Sequence, residues 1–165
     1  MKKIFLFLLG FIAFGFFACQ EEVEVEVGET AVIEVSGNWF VQIYDDAGNV
    51  LDYWVEAYTY NTSNNSKDSL WVWVDEGWNY NWDVQCKVGC DVEAKTFSGT
   101  EVENIIDETI WSIEDGQIFP DQGKTIGGHV TDSIYFTIND GVDTYTVAGH
   151  EYTGFTEDDP RIPEQ

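Results

Sequence analysis

From position 39 onward, apolar and polar residues alternate in short runs separated by turn-forming residues. Trp39 to Tyr44 is β-branched and aromatic, and Asp45-Asp46-Ala47-Gly48-Asn49 supplies turn chemistry. Val50 to Tyr60 and Ser69 to Val74 read as the next strands, with the polar loop Asn61 to Lys67 between them. The clearest signal spans Trp78 to Val88. Its even positions (Trp78, Tyr80, Trp82, Val84, Cys86, Val88) are all apolar and its odd positions all polar. Period-two alternation puts the apolar set on one buried face of an antiparallel strand. Further strands are predicted at Thr96 to Glu101, Thr109 to Glu114, Ser133 to Asn139 and Thr144 to Phe155, with Asp115-Gly116 and Asp140-Gly141 as hairpin turns. Thr30 to Val35 is a candidate extra strand. No stretch carries a sustained helical period. About eight strands joined by short turns predict an all-β fold, an antiparallel up-and-down barrel, because closure removes exposed strand edges. An open sandwich is the alternative.

The N-terminus has a different pattern. Met1-Lys2-Lys3 is basic, and an apolar run from Ile4 to Ala18 ends at Cys19. Fifteen apolar residues are short of the ~20 that span a bilayer, so the run reads as a signal peptide over 1–18. A Cys directly after such a run resembles a bacterial lipobox, which implies lipidation of Cys19 and a membrane anchor. Ala18 suits the position before the Cys, whereas Phe16 and Phe17 depart from the usual residues. Gln20-Glu21-Glu22 resembles the acidic export tag of surface lipoproteins, and Glu22 to Val27 alternates Glu with Val. Residues 19–35 are therefore read as lipidated Cys plus acidic tether, 36–159 as the barrel domain and 160–165 as a tail. The expected location is the outer membrane, on its periplasmic face or at the cell surface.

Charge and composition narrow the partners. The 165 residues include 31 Asp and Glu against 7 Lys and Arg, for a net charge of -24. Nothing in the chain clusters Lys or Arg to replace counterions, which argues against nucleic acid. Eleven Phe, eight Tyr and seven Trp are far more than a disordered acidic chain carries. Aromatics fall on both faces of the predicted strands. Trp54, Tyr58 and Tyr60 share one face of their strand, and Trp71 and Trp73 lie opposite Leu70, Val72 and Val74. Outward rings suit a flat platform for a glycan or a protein partner.

Gly37-Asn38-Trp39 opens the first main strand and resembles the Gly-x-Trp signature of lipocalins, in which the Trp plugs one end of a calycin-type barrel. The Arg that lipocalins stack on that Trp has no counterpart before Arg161. The blocks SGNWFVQIYDDAGNVL, YTYNTSNNSKDSLWV, TDSIYFTI and YTVAGHEYTGFTEDD resemble a family of Bacteroidota envelope lipoproteins known as lipid-binding putative hydrolases. That resemblance implies a lipocalin-like β-barrel and a lipid ligand. It carries no catalytic positions onto this chain.

Chemistry leaves few marks. A Ser-His-Asp arrangement needs a His, and only His129 and His150 exist, with no Gly-x-Ser-x-Gly elbow. Ser98, Ser112 and Ser133 are the serines weighed against them. Carboxylate pairs are uninformative in so acidic a chain. No cofactor or metal is expected: two His and a Cys pair do not reach a zinc spacing, and Asn139 to Asp143 reads as a turn rather than a calcium loop. Cys86 and Cys90 form a disulfide only if the strand bends at Val88-Gly89, since their Cα atoms lie ~13 Å apart in an extended strand.

The expected function is non-catalytic binding of a lipid or other apolar ligand, with Trp39, Tyr80, Trp82 and Phe136 lining the interior. The alternatives are a glycan or protein module using Trp54, Trp71 and Trp73, and an esterase-like hydrolase using His129 or His150.

Overall fold

A computed structural model describes residues 29–51, 53–75 and 83–162. Eight strands close into one antiparallel barrel in simple meander order: β1 (Gly37–Tyr44), β2 (Val55–Asn61), β3 (Ser69–Val74), β4 (Val84–Asp91), β5 (Thr96–Glu103), β6 (Ile110–Lys124), β7 (Val130–Asn139) and β8 (Thr144–Glu151). β1 pairs with β8 from Trp39 opposite Glu151 to Tyr44 opposite Thr146, and this seam removes the last edge.

Alternation decides which side chains fill the barrel. Trp39, Val41 and Ile43 point inward from β1, Leu70, Val72 and Val74 from β3, and Val84, Cys86 and Val88 from β4. Ile134, Phe136 and Ile138 meet Val147 and Tyr145 across β7 and β8. Most of these side chains have no accessible surface at all, Val72, Val74, Phe136 and Val147 among them, and Ile113 of β6 is equally buried. The middle of the lumen is therefore filled by side chains, as small eight-stranded barrels allow.

The two ends differ. At the base, where β1, β3, β5 and β7 begin, a short 3-10 turn (Ile33–Val35) lies across the opening, and Val32 and Val35 join the core with no exposed surface. The extra strand expected at Thr30 to Val35 is this turn. Its backbone bonds run Ile33 to Thr30 and Val35 to Val32, so the segment plugs the barrel instead of pairing with it. The opposite end, the mouth, carries among the described residues 45–51 and 53–54 of the β1–β2 loop, Asp75 after β3, Asp83 before β4, and the β5–β6 and β7–β8 loops at 104–109 and 140–143.

Asp115-Gly116 is a bulge inside the fifteen-residue β6, not the expected hairpin turn. Asp115 takes a left-handed φ of 54° and Gly116 lies against the Phe97 ring, where a Cβ would come within 2.4 Å. The Asp140-Gly141 turn does join β7 to β8. β4 runs unbroken through Gly89, and Cys86 and Cys90 are both free thiols. The bend at Val88-Gly89 that a disulfide between them requires is not present in this strand.

Candidate functional site

The mouth is where the lumen meets solvent. Val55 and Trp111 are the core residues there with measurable exposure, 8% and 7%, and Leu51, Val102 and Tyr145 pack against the core while half-buried. A cleft of about 360 Å³ lies between the β1–β2 and β7–β8 loops, over Leu51, Tyr145 and Thr144 and beside Asp45, Asp46 and Asp143. Large apolar side chains stand exposed on several of the surrounding loops: Val50 and Tyr53, Ile105 and Ile106, and Val142 at 85% exposure.

Hydrogen bonds fix these loops from within. Asp45 accepts the backbone N–H groups of Ala47 and Asn49 at 2.9 and 2.8 Å and the Asn49 side-chain amide at 2.8 Å. The Asn49 amide above all holds the Asp45 carboxyl below the usual carboxylate range. In the β7–β8 turn, Asp140 accepts from the N–H groups of Val142 and Asp143 at 2.8 and 2.7 Å, and Gly141 supplies φ of 91°. Asn104 is fully buried and ties the β5–β6 loop to β4. It donates to the Asp83 carbonyl and the Asp107 carboxylate and accepts from the Gln85 N–H. The Thr109 hydroxyl, 2.6 Å from Asp107, lowers that carboxyl as well. Among the described residues, the mouth loops carry Asp45, Asp46, Asp75, Asp83, Asp107, Glu108, Asp140 and Asp143, and no Lys, Arg or His. A larger recess of about 660 Å³ lies at the base, but Glu34, Lys67, Asp68, Asp91, Glu93 and Lys95 line it with charge. Apolar contact favours the mouth.

Two of the four interior aromatics chosen from sequence are described, and both lie deep in the barrel. Trp39 is 2% exposed and its indole N–H donates to Thr59 Oγ1 at 3.0 Å. Its ring folds back over Gly37 at the base. Phe136 packs edge-on against Phe97, ring centres 5.6 Å apart. Tyr80 and Trp82 lie outside the described residues, as does Cys19.

Trp54, Trp71 and Trp73 do face outward, half-buried on the wall of β2 and β3. Trp73 stacks on Tyr58 at 4.9 Å and donates its indole N–H to Asp83 at 2.6 Å. Phe40 is outward as well, yet only 1% exposed. Tyr152 covers it edge-on, and the Arg161 guanidinium lies 4.6 Å over its ring while pairing with Glu56 and Asp159. The cation–π contact missing from Trp39 thus occurs on its neighbour, on the outer wall.

The two imidazoles sit toward the base and are held differently. His150 is 5% exposed, lies against Trp54, and its Nδ1 donates to the Glu151 carbonyl at 3.1 Å. His129 is exposed, and its Nδ1 donates to the carboxylate of Asp158. Ser133 is the register partner of His150 across β7 and β8, while Ser112 accepts from the Glu101 N–H at 3.1 Å. The buried Cys86 thiol is pushed up to about 12 by desolvation, and burial raises Cys90 too, so neither is a ready thiolate. Among the described residues, no three His, Cys, Asp or Glu are grouped to hold a metal ion.

Residues 24–156 match the family model described as lipid-binding putative hydrolase. No curated protein matches the chain.

Proposed function

On the premise that this chain belongs to the lipid-binding putative hydrolase family, we propose that it is an envelope lipoprotein whose barrel binds a lipid or other apolar ligand at its mouth. Cys19 is the lipidated anchor of this reading, residues 20–28 the acidic tether, and the outer membrane its location, on the periplasmic face or at the cell surface. One observation carries the placement of the ligand. The lumen is filled at mid-height, and its apolar surface reaches solvent at Val55, Trp111, Leu51, Val102 and Tyr145. An acyl chain laid over these residues buries apolar area at ~25 cal/mol per Å². Trp39 and Phe136 then form the packed floor below it. His129 lies at the base and His150 is buried on the outer wall against Trp54, so neither borders the apolar opening, and this reading takes binding there as non-catalytic.

Native mass spectrometry of the chain from Glu21 onward, before and after exposure to a mixed envelope-lipid extract, tests this. A discrete adduct of lipid mass, lost on delipidation and regained on re-exposure, is expected. Trp111→Ala should weaken it. A folded protein that takes up no lipid would sink the reading.

A second reading rests on the outer wall. The stacked Tyr58 and Trp73, with Trp71 beside them, form a half-exposed aromatic face bordered by Gln85 and Lys87, which suits a glycan or a protein partner. Loss of glycan-array binding in Trp71→Ala, with lipid uptake intact, would favour it.

A further inference from the structure

Two segments of the base converge on one carboxylate. Asp158, in a 3-10 turn (Thr156–Asp158) after β8, is 1% exposed. It accepts from the hydroxyls of Thr125 and Thr153 at 2.6 and 2.5 Å, and from His129 Nδ1 at 2.9 and 3.0 Å to its two oxygens. The β6–β7 turn is shaped around it. Thr125 Oγ1 also accepts the His129 N–H at 3.0 Å, and a Cβ on Gly127 would come within 2.4 Å of the Asp158 carboxylate. Desolvation opposes the charge on Asp158, but the bonds from Thr125, Thr153 and His129 outweigh it and hold the carboxyl down at about 2.

The imidazole is fixed by this arrangement but not covered. With Nδ1–H committed to a carboxylate that stays ionised, the tautomer is set and Nε2 presents a lone pair. The His129 side chain is 56% exposed. The Asp158 bond, then its charge, then Glu157 raise the basicity of His129 above that of an ordinary imidazole. Exposed apolar side chains accompany it beside this acidic pair: Val130 follows it in the chain and Ile126 lies three residues before it in the same turn, both at least half exposed, and the exposed Phe155 ring lies 6.3 Å away. A carboxylate-oriented imidazole beside exposed apolar side chains is half of a hydrolytic apparatus. His150 lacks this, since its partner is a neutral carbonyl and its ring is buried.

We propose that His129, positioned by Asp158, acts as general base in water-mediated hydrolysis of acyl esters whose chain rests on Ile126, Val130 and Phe155. Nε2 takes a proton from water as the water oxygen bonds to the ester carbonyl carbon and the carbonyl π pair moves onto its oxygen. The tetrahedral intermediate collapses, the bond to the alcohol oxygen breaks, and Nε2 returns the proton to that oxygen. A carboxylic acid and an alcohol leave. Asp158 retains its charge throughout, and water is the sole co-reactant, so the missing serine elbow is no obstacle. This site is independent of ligand binding at the mouth.

The test uses the full chain with p-nitrophenyl acetate, butyrate and octanoate. Hydrolysis should saturate, favour octanoate in kcat/KM, and rise with pH through an inflection above the ordinary imidazole value. General-base catalysis typically contributes ~10²-fold or more, so His129→Ala should lose about that factor. His129→Gln keeps a side-chain donor toward Asp158 but takes up no proton, so it decides the matter even if His129→Ala fails to fold. Asp158→Asn should lower kcat and move the inflection back toward the ordinary imidazole value, which a purely structural bond would not do. Phe155→Ala should raise KM for octanoate and leave acetate unaffected. Hydrolysis that is linear in ester concentration, or that survives in folded His129→Gln, overturns the proposal. So does an Asp158→Asn variant whose kinetics and pH profile match the parent.

Discussion

The base and the mouth of this barrel are made from the same kinds of loop, yet they are stabilised in opposite ways. At the base, distant segments cross-link: the 3-10 plug inserts Val32 and Val35, Lys95 pairs with Glu34, and Asp158 joins the β6–β7 turn to the C-terminal segment. Arg161 then straps that segment to the outer wall through Glu56 and Phe40. At the mouth, Asn104 ties the β5–β6 loop to β4, but the bonds around Asp45 and Asp140 stay inside single loops, and the apolar tips are left outside. Long-range ties make an end rigid and closed. Local ties hold each loop in shape while leaving the space between loops open.

The contrast is sharpest at its shared boundary, the filled middle. Phe136→Ala removes a fully buried ring between the ends and should cost about 3 to 5 kcal/mol in chemical denaturation. Gly149→Ala should be at least as damaging, because a Cβ there would come within 1.9 Å of the Phe40 carbonyl at the β1–β8 seam. If either variant were neutral, the lumen would not be solid.

Next in size is the base clasp, which carries a pH signature. The folded-state value of Asp158 is depressed, so its contribution is complete above about 3.8 and is lost as pH falls through about 2. Asp158→Asn should lower the thermal midpoint at neutral pH, with the gap to the parent narrowing across that acidic window. The charged form of His129 works the other way. Its share is present below its ordinary value of 6.5 and fades as pH rises through the raised one.

Smaller still is the strap. Arg161→Ala removes a partly exposed cation–π and ion-pair contact and should cost ~1 kcal/mol, discounted for solvent screening. The smallest stability effect belongs to the mouth. Val142→Ser at an 85% exposed tip should change stability by less than ~0.5 kcal/mol while lowering lipid uptake in native mass spectrometry. A large destabilisation from Val142→Ser would erase the distinction between the ends.

Much of the barrel was legible because alternation is a direct imprint of a two-sided wall. Leu70, Val72 and Val74, and Val84, Cys86 and Val88, point inward as their spacing predicts, and the outward placement of Trp71 and Trp73 follows from the same period. Signals with two structural meanings were not resolvable. Asp115-Gly116 has the composition of a hairpin turn, and only the continued pairing of β6 with β7 distinguishes it as a bulge. Thr30 to Val35 has β-branched residues that serve equally well as a plug. The clasp was hidden for another reason. Asp158 is one of 31 acidic residues, and nothing in its local sequence marks it as the one drawn under cover by two threonines and a histidine. His129 was visible as a candidate; its partner was not.

The seam between the first and last strands also sets a timetable. β1 cannot be completed until β8 exists, so the hydrogen bonds from Trp39 to Tyr44 wait on residues 146–151, made after every other strand of the barrel. Pairing across so long a stretch of chain is slow, on the order of milliseconds to seconds for β-rich domains. Until it happens, β1 is a bare edge on an unfinished sheet. A truncation before Thr144 would therefore remove more than one strand: it would leave β1 and β7 permanently unpaired on one side and open to association with other chains.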